Sequence, residues 1–125
     1  MNKKIRISVG KIDMKATLSD GPTSNRLWEI LPISASVITW GEEIYFTIPL
    51  EMPLESSARE EMTVGEIAYW PPGKAFCIFF GPTPASTGEV PRAASAVNPL
   101  GEVEGDAKRL LEIQNGEKVQ IERAQ

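Results

Sequence analysis

The sequence predicts a mainly β protein, with about eight short strands and two short helices arranged as a closed barrel or a sandwich. Period-two alternation of apolar and polar residues recurs in several short runs, turn residues punctuate those runs, and only two segments carry helix signals. The chain has 125 residues, about the length of one domain, so residues 1–125 read as a single unit. A hydrophobic content of 42% is enough to build a core.

Ile5, Ile7 and Val9 alternate with Lys4, Arg6 and Ser8 over residues 4–9, and Ile12, Met14, Ala16 and Leu18 alternate over 12–18. With Gly10-Lys11 between them, the two runs read as a hairpin. Asp20-Gly21-Pro22 breaks the second strand. Thr23 or Ser24 then caps a short helix with Leu27, Trp28, Ile30 and Leu31 on its apolar face, stopped by Pro32. Val37–Trp40 and Glu43–Ile48 read as strands around Gly41. Residues 49–65 are mixed and read as a surface excursion. Met62–Tyr69 and Ala75–Phe80 are strands on either side of Pro71-Pro72-Gly73, a rigid turn in which proline presets φ and glycine takes positive φ. Residues 81–95 hold three prolines and two glycines and read as a long loop. A strand follows over 96–103, bent by Pro99. Asp106 then caps a helix over 107–113, and Val119 and Ile121 mark a last strand.

Composition excludes several chemistries. There is no histidine, which removes histidine bases and histidine metal sites. A single cysteine, Cys77, forms no intrachain disulfide and no multi-cysteine zinc site, so neither a metal nor another cofactor is expected. The net charge of −4, with no basic stripe, argues against nucleic-acid binding. No apolar run approaches the ~20 residues of a membrane span, and Arg6 and Ser8 interrupt any leader-like segment, so the expected location is the cytoplasm.

Order and motifs together resemble the cyclophilin fold. Cys77-Ile78-Phe79-Phe80-Gly81 is similar to the Gln-Phe-Phe strand of cyclophilins. Leu100-Gly101-Glu102-Val103-Glu104-Gly105 is similar to their Phe-Gly-Lys-Val segment, and Lys118-Val119-Gln120-Ile121 to their closing strand. Asn25–Leu31 sits where they place an Asn-Phe-x-x-Leu helix. Thr39-Trp40-Gly41-Glu42-Glu43 and Tyr69-Trp70-Pro71-Pro72-Gly73-Lys74 more closely resemble small, stand-alone prokaryotic cyclophilin-like proteins. The resemblance implies a closed cyclophilin-like barrel.

It does not carry over the prolyl isomerase machinery. Cyclophilins place a catalytic arginine on the strand after the first helix, but residues 33–58 contain none. Ile78 stands where they have glutamine, and their pocket histidine has no counterpart. Phe80 retains an apolar pocket position. Without a guanidinium to stabilise the twisting amide, catalysis loses its main electrostatic aid. No catalytic residue is therefore assigned.

The expected function is a binding protein that holds a peptide or small molecule in an apolar groove. Candidate ligand-binding residues are Trp40, Glu42, Glu43, Tyr45, Tyr69, Phe80 and Arg92. Adjacent Glu42 and Glu43 point to opposite faces of a strand, so at most one enters a shared pocket, where its pKa would rise. Trp70, Phe76 and Phe79 read as core, and Cys77 as a small buried apolar residue. The alternatives are a weak isomerase using Arg92, a partner domain for an amide-hydrolysing enzyme of the allophanate hydrolase or oxoprolinase type, and a homo-oligomer paired through strand edges.

Overall fold

The computed structural model describes residues 3–124. It is mainly β. The opening hairpin forms as the alternation predicts, with β1 (Lys3–Val9) antiparallel to β2 (Ile12–Leu18). β3 (Ile33–Ser36), β4 (Ile38–Thr39), β5 (Glu43–Thr47), β6 (Arg59–Glu61), β7 (Glu66–Trp70), β8 (Ala75–Phe79), β9 (Arg92–Val103) and β10 (Lys118–Ala124) follow. One helix, α1 (Pro22–Ile30), precedes β3, and a six-residue 3-10 turn, Ala107–Glu112, precedes β10.

There are ten strands among the described residues, not about eight, and the sheet is not closed into a barrel. Its hydrogen-bonded path runs β3-β10-β1-β2-β9-β7-β8-β5-β4, with β6 paired to β9 off that path. The break has a local cause. Val37, between β3 and β4, donates its N–H to the Glu117 carbonyl (2.9 Å), and its own carbonyl accepts from Gly116 N–H (2.8 Å). The ends of the sheet are thus joined by the chain rather than by a ladder.

Two further departures come from segments rich in small residues. β3 (Ile-Ser-Ala-Ser) pairs with β10, although its composition carries little strand signal. β9 begins at Arg92, so Arg92–Ser95 lie in a strand and not in the expected loop. There they pair with β6, which itself lies within the expected surface excursion.

The main core gathers alternate residues from nearly every strand. Ile5, Ile7, Val9, Met14, Ala16, Ile44, Phe46, Ile67, Tyr69, Phe76, Ile78, Val119 and Ile121 belong to it, with Leu27 of α1 and Leu110 of the 3-10 turn. Full burial of each large apolar side chain stabilises by roughly 1.5–3 kcal/mol.

The cap of α1 is supplied from elsewhere in the chain. Gly21 occupies the cap position and makes no side-chain bond; Pro22 opens the helix. Thr23 is buried, and its N–H donates to Glu55 Oε2 (2.9 Å), as does its hydroxyl. Buried Asn98 completes the network. Its Nδ2 donates to Thr23 Oγ1 (3.0 Å) and the Pro53 carbonyl (2.9 Å), and its Oδ1 accepts from Glu55 N–H (2.8 Å). The Asp106 cap forms as the sequence predicts, its Oδ1 accepting from Lys108 N–H at 2.9 Å.

Candidate functional site

β5, β8 and β7 lie side by side and bury both faces. Registry sorts their residues into rows. Ile44–Ile78–Ile67 and Phe46–Phe76–Tyr69 face the main core, and Tyr45–Cys77–Ala68 and Thr47–Ala75–Trp70 face the other way. On that second face Ala68, Ala75, Cys77 and Phe79 pack against Met62, Ala93 and Val97, which lie on or beside β6 and β9. Small residues dominate there, and the space they leave is a pocket of about 170 Å³. Trp40, Glu43, Tyr45, Trp70, Cys77, Ala93, Ala94 and Val97 line it.

Two glycines set its aromatic walls. Gly41, at φ 60°, lies in the turn between β4 and β5, where Trp40 N–H donates to the Glu43 carbonyl (2.9 Å). A Cβ on Gly41 would come within 2.9 Å of the Thr83 backbone, so glycine lets the following loop pass over the turn. Gly73 has a different role from the one its sequence suggests. The left-handed residue of the turn is Lys74 (φ 49°), while a Cβ on Gly73 would lie 2.7 Å from the Trp70 ring. Gly73 is the seat on which the indole rests. Trp70 Nε1–H donates to Ser95 Oγ (2.7 Å), and its ring meets Tyr45 edge-on at 6.4 Å and 76°.

Glu43 is the unusual member. It is 5% exposed, and its Oε1 is the one buried side-chain polar atom among the described residues without a hydrogen-bond partner. Native proteins rarely leave such an atom unpaired. Burial pushes the carboxyl up to about 8, with the Cys77 thiol beside it pulling weakly the other way. Burial likewise raises Cys77, and the negative charge of an ionised Glu43 adds to the effect. Near neutral pH the pocket therefore contains a largely protonated acid that exchanges its proton close to physiological pH, among apolar walls.

The profile of the cyclophilin-like family matches residues 3–122. The chain belongs to this family. It is also similar to a hypothetical protein from Archaeoglobus fulgidus, known from a solution structure, at 35% identity and a TM-score of 0.83, over 98% of this chain and 95% of that one. No curated protein matches.

Against this cyclophilin-like frame, the residues singled out in the sequence separate into groups. Trp40, Glu43 and Tyr45 line the pocket. Glu42 points away from it and accepts from Lys108 Nζ at 3.1 Å. Tyr69 lies in the main core, its hydroxyl donating to the Leu50 carbonyl (2.5 Å). Phe80, the position that resembles the cyclophilin pocket, is also in the main core. Arg92 is bound to Glu60 (2.7 Å) and does not line the pocket. Trp70 and Cys77, read as core, line it as well as packing beside it. Trp70 and Tyr45 share a face only through the pairing of β7 and β5 with β8, which no local sequence pattern shows.

Among the described residues no group of three metal-binding side chains converges, and no helix is long and apolar enough to cross a membrane.

Proposed function

We propose that this chain is a cytoplasmic binding protein of the cyclophilin-like family. It takes a small ligand, or a single side chain of a peptide, into the pocket formed by Trp40, Glu43, Tyr45 and Trp70, and it does so without isomerase chemistry. One observation carries the reading: Glu43, a buried carboxyl whose Oε1 has no hydrogen-bond partner, lines an apolar, aromatic cavity. A buried polar group left unpaired costs about 1–3 kcal/mol. A bound ligand that pairs with the Glu43 carboxyl offsets that cost, which gives the carboxyl a reason to be there. The size supports the same reading. An apolar cavity of about 150 Å³ takes a benzene-sized guest, and this pocket is about 170 Å³. Arginine is absent from its lining, so the group that would stabilise a twisted prolyl amide is missing.

The test is an NMR titration with a panel of ring-sized metabolites and short proline-containing peptides. The indole N–H signals of Trp40 and Trp70 and the methyls of Ala93 and Ala94 should shift together. Ala94→Phe, at the exposed rim, should abolish those shifts. Shifts confined to another face, or a full response in Ala94→Phe, would sink the reading. A protease-coupled isomerisation assay should show the uncatalysed rate.

A further inference from the structure

The ligand pocket proposed above has the make-up of a receptor for positive charge, an inference that rests on that reading. Three of its walls are aromatic: Trp40, Tyr45 and Trp70. The face of an aromatic ring is the negative part of its quadrupole and attracts a cation placed within about 6 Å of the centroid. Tyr45 and Trp70 stand nearly perpendicular and form a corner. The indole N–H of Trp70 is already committed to Ser95. The carboxyl of the lining is Glu43, whose buried Oε1 has no partner.

No lysine or arginine lines the pocket. β5 contributes the Tyr45 phenol, β8 the Cys77 thiol, β7 Trp70, and β9 Ala93, Ala94 and Val97; Trp40 lies at the end of β4. The cations of neighbouring segments are occupied elsewhere, Arg59 by Glu66, Arg92 by Glu60 and Lys108 by Glu42. A neutral guest would gain one hydrogen bond from Glu43 and apolar contact from the rings. An organic cation gains the attraction of the ring faces and a counter-ion besides.

We propose that the pocket is a cage for a small organic cation, a quaternary or methylated ammonium group, with Trp40, Tyr45 and Trp70 as its walls and Glu43 as its counter-ion. A trimethylammonium group is similar in size to a benzene ring and so suits the cavity. Entry of the cation expels the Glu43 proton to solvent, so binding and proton release are coupled.

The experiment compares choline with its neutral carbon isostere, 3,3-dimethylbutan-1-ol, by calorimetry and by the Trp40 and Trp70 indole signals, from pH 6 to 9. Choline should bind at least about tenfold tighter than the isostere. Its affinity should rise by up to about tenfold per pH unit and level off above about 8. Glu43→Gln, which has the shape of the protonated acid, should stay folded and lose both the preference and the pH slope. An isostere that binds as tightly as choline, or a choline affinity that is flat or falling with pH, overturns the cation cage while the pocket reading stands. If neither compound shifts either indole signal, the cage fails, and the pocket reading fails with it once the wider panel is also silent.

Discussion

The two faces of the β5–β8–β7 sheet use the same three strands in opposite ways. Toward the main core the strands present Ile44, Phe46, Ile67, Tyr69, Phe76 and Ile78, all at most 1% exposed. Phe46 and Phe76 stack at 5.3 Å, and the polar end of Tyr69 is satisfied by Leu50 and Met52. Toward β9 the same strands present Ala68, Ala75 and Cys77 beneath Tyr45 and Trp70, and Glu43 keeps an unpaired oxygen. The first face fills its volume and satisfies its polar atoms. The second leaves a ring-sized space with a carboxyl in it. A one-residue step along each strand thus separates a filled face from one that leaves a cavity, without weakening the core behind it.

Truncation should separate the two faces most strongly. Phe76→Ala removes a fully buried, stacked ring and should cost about 3–5 kcal/mol. Cys77→Ala, one residue on and beside the cavity, should cost about 1 kcal/mol. Denaturant midpoints measure both. Equal losses would mean that the second face is as tightly packed as the first.

The pH dependence of stability is the next largest effect. Unfolded, Glu43 loses its proton near 4.5; folded, it holds it up to about 8. Between these values the folded protein binds the extra proton. This contribution to stability is therefore complete below pH 4.5 and is lost as pH rises to about 8, by at most about 1.4 kcal/mol per unit. The difference in unfolding free energy between wild type and Glu43→Gln should follow that slope, since other titrating groups cancel. A flat difference would place Glu43 in a solvated setting and dissolve the contrast between the faces.

The opening strands were legible in the sequence, the division between the two faces was not, and the causes are specific. Alternation over 4–9 and 12–18 placed the first hairpin, because those strands have one buried face each. β7 and β8 bury both faces, so every residue looks like core, and Trp70 and Cys77 read no differently from Phe76 and Ile78. Motif resemblance pointed Phe80 toward a pocket; its registry with Phe76 and Ile78 sends it to the main core. Of the adjacent glutamates, alternation predicted that at most one enters, but which one depends on how β5 is paired with β8. β3 and the start of β9 were missed because Ser34, Ala35, Ala93 and Ala94 carry little strand propensity and are held by their partners. The Glu55–Thr23–Asn98 network joins residues far apart in the chain, beyond any local rule for caps.

A smaller effect tests how the pocket wall is held. Gly73→Ala places a methyl where the Trp70 ring now lies, so the indole must move. Stability should fall by about 1 kcal/mol. Quenching of Trp70 fluorescence by acrylamide should increase, and ligand-induced shifts at Trp40 and Trp70 should weaken. Loss of stability with unchanged quenching would show the turn, not the ring, to be the strained element.

The smallest change is the sharpest comparison, because it moves one residue along the chain. Glu42→Gln removes a carboxylate whose side chain is 34% exposed and paired with Lys108 across 3.1 Å. Exposed pairs of this kind contribute about 0.2–1 kcal/mol, and salt screens them. The Glu42→Gln protein should therefore unfold within about 1 kcal/mol of wild type, with that difference shrinking at high salt. Its stability should keep the wild-type dependence on pH between about 4.5 and 8, since Glu43 is untouched. Ligand shifts at Trp40 and Trp70 should be unaltered. If instead Glu42→Gln flattens the pH dependence and Glu43→Gln does not, the strand is turned over relative to this structure, and the carboxyl in the pocket is the other one.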